Sequence, residues 1–166
     1  MLVKKILMAA SVGLVFASGA ALAERVEHQV IVEAQVPTSS FRAEPIGRWM
    51  DNPLRMQWDM NSETLRPVAG NYFEMKSTLG PITAHLDHPA VMRNVADASK
   101  SFDLTVDVAN KTLAVGTPAT LYTAPEAASG QTAELTISAI APGTGFEPGM
   151  YAGVVALTFE SEAPTP

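Results

Sequence analysis

The feature that most constrains this chain is a run of period-two alternation beginning at residue 24. Residues 24–37 read ERVEHQVIVEAQVP. Val26, His28, Val30, Val32, Ala34 and Val36 fall on one face, which is apolar at five of six positions. Arg25, Glu27, Gln29, Ile31, Glu33 and Gln35 fall on the other, which is polar at five of six. Side chains alternate between the faces of a strand, so this segment is predicted to be one long strand, and Pro37, which has no N–H to donate, ends it.

The same period recurs downstream, at intervals typical of an all-β sandwich. Phe73, Met75 and Ser77 alternate with Glu74 and Lys76, up to Gly80-Pro81. Ile82, Ala84 and Leu86 make a short partner. Phe102, Leu104, Val106 and Val108 alternate with Asp103, Thr105 and Asp107; Asn110-Lys111 then suits a turn into a second run, Leu113 to Tyr122, completing a hairpin. Leu135, Ile137 and Ala139 alternate with Glu134, Thr136 and Ser138. The last run, Tyr151 to Phe159, is weakly polar on both faces, which predicts a strand inside a sheet rather than at an exposed edge. Ala124–Gly130 and Pro142–Gly149 read as turns, and Pro89–Ala98 as a short helix with proline in its first turn. Pro45, Pro53 and Pro67 break residues 39–70 into short pieces.

The chain has 166 residues, 11 Lys+Arg against 17 Asp+Glu, a formal charge of −6 and no cysteine. One domain of ordinary size fits that length. The acidic balance argues against nucleic acid as a partner, which needs a basic face. Without cysteine there are no disulfides, thiolate metal sites, Cys nucleophiles or lipid-anchoring cysteine. Residues 1–23 carry Lys4 and Lys5, a short apolar run from Ile6 to Phe16, and Ala21-Leu22-Ala23. That is the pattern of a secretory signal peptide cleaved after Ala23, and its apolar run is shorter than the roughly 20 residues of a membrane span. Loss of the two lysines leaves 9 bases against 17 acids, a mature charge of −8, and no second apolar run of spanning length follows. The mature chain is therefore expected to be exported with no membrane span.

Motifs for chemistry are scarce. His85, Asp87 and His88 have a spacing that suits metal ligation only on a helix, and Pro89 follows at once; a polar loop is the plainer reading. His28 reads as a packed or rim histidine. No G-x-S-x-G or H-E-x-x-H is present, and Gly143, Gly145 and Gly149 do not make a dinucleotide fingerprint. Asn110-Lys111-Thr112 matches a glycosylation sequon, yet turn chemistry already explains the asparagine. Trp49, Trp58 and Tyr72 suit either a sugar-stacking platform or ordinary core and edge packing. No catalytic residue, metal or cofactor is expected.

A terminal strand frays unless it is tied down, so the apolar face of residues 26–36 must be buried either in the chain's own sheet or in that of a neighbour. Here a resemblance adds to the reading. Val26–Pro37 (VEHQVIVEAQVP) resembles the mature start of CS1-type fimbrial major subunits, the class 5 or α-fimbriae, which include colonisation-factor and cable pilins. Gly149–Phe159 (GMYAGVVALTF) is similar to their closing strand, and EMKSTL, FDLTVDVANKTL and AELTISAIAP fit between in order.

The resemblance implies an all-β, incomplete immunoglobulin-like sandwich completed by a donor strand from a neighbouring subunit. Residues 1–23 would be the signal, 24–37 the donor strand and 38–166 the pilin domain. Val26, Val30, Val32, Ala34 and Val36 would fill the groove of the next subunit, with His28 a polar departure among them and Ile31 facing outward. Tyr151, Val155, Leu157 and Phe159 would form one groove wall. The implied partners are identical subunits, a periplasmic chaperone, an outer-membrane usher and a tip adhesin, with the fibre at the surface of a Gram-negative cell. The chain is too short to hold a separate lectin domain as well, so a shaft position is expected. The competing expectation is a self-contained periplasmic or surface β-sandwich that binds a ligand, with an exported enzyme a more distant third.

Overall fold

The computed structural model describes residues 40–162. The proposed signal and the strand at 24–37 lie outside them. The strands in chain order are β1 (Phe41–Pro45), β2 (Trp58–Asp59), β3 (Thr64–Leu65), β4 (Val68–Ser77), β5 (Ile82–Leu86), β6 (Val91–Asn94), β7 (Ser101–Val108), β8 (Lys111–Thr112), β9 (Ala119–Tyr122), β10 (Gln131–Ala139), β11 (Tyr151–Ala152) and β12 (Leu157–Ser161). Among the described residues one α-helix, α1 (Ala124–Ser129), lies between β9 and β10, and a three-residue 3-10 turn, Trp49–Asp51, lies between β1 and β2.

The larger sheet runs β1-β4-β10-β7-β6-β11, with β8 also on β7; the smaller runs β12-β5-β9; β2 and β3 form a separate hairpin. All these strand pairs are antiparallel. The alternation read in the sequence decides which face turns inward. Phe73 and Met75 on β4, Ala133, Leu135 and Ile137 on β10, and Val106 and Val108 on β7 are buried from the larger sheet, and Ile82, Ala84 and Leu86 from the smaller. Phe73 meets Phe159 of β12 edge-on, with ring centroids 5.0 Å apart, so one aromatic pair bridges the two sheets. Ser77 is a buried polar residue on the inward face, and it is satisfied: its hydroxyl bonds Ser161 Oγ at 2.6 Å and accepts the Leu79 N–H at 3.1 Å.

Several expectations need correction. The segment Pro89–Ala98 is not a helix: β6 pairs with β7, and Asn94 Oδ1 accepts the N–H groups of Ala96 and Asp97, a local bond that turns the chain. The turn after β7 centres on Ala109-Asn110, at φ 49° and 59°, the two-residue geometry that suits strand twist. The hairpin so formed is short. After β8 the chain leaves for the other sheet, where β9 pairs with β5. β5 itself belongs to the sheet opposite β4. Ala124–Ser129 is a helical turn rather than a loop, capped by reciprocal bonds between Thr123 and Glu126, with Ala127 fully buried. Finally, Tyr151–Phe159 is not one interior strand. It splits into β11 and β12, each at the end of its own sheet.

Candidate functional site, an apolar groove beside an edge strand

β12 pairs with β5 along Leu157↔Leu86 through Ser161↔Ile82 and, among the described residues, with nothing on its other side. Its neighbour β5 buries Ile82, Ala84 and Leu86 almost completely, whereas Leu157 and Phe159 of β12 are only half-buried. An edge strand with core-type side chains that are incompletely covered leaves unpaired backbone groups and uncovered apolar surface in one place.

That place is a groove of about 250 Å³. Phe73, Leu135 and Ile137 of the larger sheet line one part of it, and Val155 and Leu157 line another. Trp49, Leu54 and Met56, from the connection between β1 and β2, line the rest together with neighbouring apolar residues. No ionisable side chain is in the lining among the described residues. What such a surface offers is burial of aliphatic side chains beside an open strand edge.

Of the four wall residues implied by the resemblance, Val155 and Leu157 line this groove. Phe159 lies behind them against Phe73. Tyr151 stands elsewhere, on β11, where its ring is 5.0 Å from Phe102 and its hydroxyl donates to the Glu147 carbonyl at 3.1 Å. It lines a second cavity, of about 400 Å³, with Trp58, Phe102 and Phe146. The implied donor residues Val26, His28, Val30, Val32, Ala34 and Val36 lie outside the described residues. The sequence reading missed Phe73, Leu135, Ile137, Trp49, Leu54 and Met56 as groove residues. The inward faces of β4 and β10 signalled the first three; Trp49, Leu54 and Met56 sit in a proline-broken stretch with no period to mark them.

Trp49 and Trp58 do not share a platform. Trp49 packs edge-on against Phe73 at 5.1 Å and its indole N–H donates to the Tyr72 carbonyl at 3.2 Å. Trp58 meets Phe146 at 5.8 Å in the other cavity. His85 Nε2 is 3.6 Å from Asp87 Oδ1, and no cluster of three His, Asp or Glu side chains is present among the described residues.

Charge is placed at the periphery. Arg66 holds Asp59 Oδ2 through Nε and Nη2 at 3.0 and 2.9 Å; the Asn61 N–H first, and then Arg66, keep that carboxyl below its ordinary pKa. Lys100 pairs with Glu147 at 2.6 Å, and that bond holds the ammonium pKa above its usual value. Arg42 pairs with Glu74 on exposed neighbouring strands. Among the described residues no helix is long and apolar enough to cross a membrane.

Two antiparallel sheets, with an edge strand open beside an apolar groove, define the class as an open immunoglobulin-like β-sandwich. In fold the chain is similar to the CooA pilin subunit from enterotoxigenic Escherichia coli, with a TM-score of 0.57 and 16% identity over 71% of this chain and 86% of that one. The family model of the CS1 type fimbrial major subunit matches residues 26–160, and the chain belongs to that family. A search of curated proteins finds no match. The chain is thus a fimbrial subunit, of a family whose members build surface fimbriae.

Proposed function

We propose that this subunit polymerises by donor-strand exchange into the shaft of an adhesive surface fimbria, as a structural protein and not a catalyst. After export and removal of residues 1–23, a periplasmic chaperone holds the groove open. At an outer-membrane usher, residues 24–37 of the next subunit replace the chaperone, and a tip adhesin heads the fibre. The observation that carries this reading is the half-buried inner face of β12 beside the apolar groove. A strand bearing Val26, Val30, Val32, Ala34 and Val36 on one face supplies the apolar cover that Val155, Leu157 and Phe159 lack. His28 meets the groove as its one polar side chain, and Tyr151 supports the fold from the other sheet rather than touching the donor.

Each buried valine contributes up to about 1.5–3 kcal/mol, with Ala34 below that range. A one-residue slip would turn Glu27, Glu33 and Gln35 inward, so register is strongly set. The contact joins two different surfaces and does not close, so it propagates as a filament. The test is Val32→Asp, which places an unpaired charge in the groove. Secreted subunit that still binds its chaperone yet forms no fibre is the expected outcome; fibres at the wild-type level would overturn the register. Removal of residues 24–36 should likewise abolish polymerisation without unfolding the sandwich.

A further inference from the structure

The segment that crosses the groove, residues 46–57, is attached in an unusual way. Its two ends are tied by backbone hydrogen bonds, Ile46 N–H to the Tyr72 carbonyl at 2.8 Å and Arg66 N–H to the Gln57 carbonyl at 2.8 Å. Between those ends, among the described residues, its backbone bonds only to itself, from Asp51 N–H to the Arg48 carbonyl, within a three-residue 3-10 turn. One polar bond joins the interior of the segment to the sheets among the described residues, and it comes from the Trp49 indole. Met50 is 61% exposed and Leu54 37% exposed. Gly47, at φ +84° with open space around it, provides a pivot next to one anchored end. Yet this loosely tied segment covers the best-buried part of the groove. Trp49 and Met56 pack on the core, over a floor where Phe73 is 4% and Leu135 2% exposed.

We propose that residues 46–57 are a displaceable cover of the groove, with Trp49 as its plug, which shields the floor in the free subunit and swings out when the groove is filled, by the chaperone or by the donor strand. The inference rests on the donor-strand reading above. A segment held by side-chain packing and few backbone bonds opens at low free-energy cost, while the sheets beneath it stay paired. The cover and the incoming strand compete for the same apolar floor, so the closed state slows assembly by reducing the fraction of competent grooves. Entry of the donor then removes the need for the cover, because Val26 to Val36 take over the floor.

The experiment uses the full mature chain with Trp58→Phe, which leaves Trp49 as its sole tryptophan. Trp49 emission is followed while heat-sensitive multimers are counted on unboiled gels. Emission should shift to the red as multimers form. Trp49→Ala should assemble roughly tenfold faster, since the closed state loses its anchor. Leu54→Asp, at a part-exposed position of the segment outside the buried core, should also assemble faster, and it covers the case in which Trp49→Ala does not fold. Multimers that form with Trp49 emission unchanged or blue-shifted would overturn the cover and leave the pilin reading intact. So would wild-type or slower assembly of Leu54→Asp. Absence of multimers from the unsubstituted chain would overturn the pilin reading, and the cover with it.

Discussion

Replacing Phe73 by alanine tests the packing that holds the two sheets together. The ring is 4% exposed and stands on β4 between two other aromatics, Trp49 at 5.1 Å and Phe159 at 5.0 Å. Truncation of a buried phenylalanine costs about 3–5 kcal/mol, from lost transfer free energy and the cavity left behind. Edge-to-face pairs of this geometry contribute about 0.5–1.5 kcal/mol each beyond their area, and two are lost. We therefore expect a loss toward the upper end, about 4 kcal/mol, a large part of the total stability of a small domain. Urea unfolding of the monomer, followed by far-UV circular dichroism, reads it as a fall in midpoint with little change in slope. Phe73→Leu retains most of the volume but loses both aromatic pairs, and should cost less than the alanine, about 1–3 kcal/mol. In a double-mutant cycle, Phe73 should couple to Phe159 by about 1 kcal/mol. A loss under about 1.5 kcal/mol for Phe73→Ala, or no coupling to Phe159, would refute the bridging role.

Two further outcomes follow from local geometry. A methyl added at Gly153 would lie 2.4 Å from the Val91 carbonyl oxygen and 2.9 Å from Met92 Sδ, so Gly153→Ala should destabilise the monomer by about 1–3 kcal/mol. Gly143→Ala, with open space around it, should leave the urea midpoint unchanged, and equal losses at both sites would contradict the close approach of residue 153 to β6. Three carboxylates are held below their ordinary pKa values by hydrogen bonds: Asp59 chiefly by the Asn61 N–H, Asp97 by the Ser99 hydroxyl and Glu126 by the Thr123 hydroxyl. Each is depressed in the fold, so its stabilisation is complete above the ordinary carboxylate range and is lost as pH falls through the folded value. The urea midpoint should therefore decline below about pH 4, less steeply in Glu126→Gln, and a flat profile down to pH 2 would refute these bonds.

The inward faces of β4, β5, β7 and β10 were legible because each strand is half-buried, and burial on one side writes period two into the residues. The edges and crossings were not. Alternation says which side chains point inward, but not which sheet a strand joins; nothing in Leu113–Tyr122 marks the switch that takes β9 away from β7 to β5. Tyr151–Phe159 reads as interior because it is apolar on both faces, yet β11 and β12 end different sheets. On the donor-strand reading, the second neighbour of β12 belongs to another subunit, and the sequence of one strand carries no mark of whose chain covers it. Pro89–Ala98 misled because its proline suits a helix start, whereas pairing of β6 with β7 prevails over local preference. The groove was only partly readable for the same reason: Val155 and Leu157 lie in the recognisable closing segment, while Trp49, Leu54 and Met56 reach it from a stretch with no period at all.

The central claim is that subunits of this chain are joined by strand exchange. Its most direct test is an unboiled SDS gel of the surface fraction sheared from the native organism, probed for this protein. Strand exchange should give a ladder of multimers that collapses on heating to a single band of mature size. A single monomer band without heating would contradict it and indicate a sandwich that completes itself.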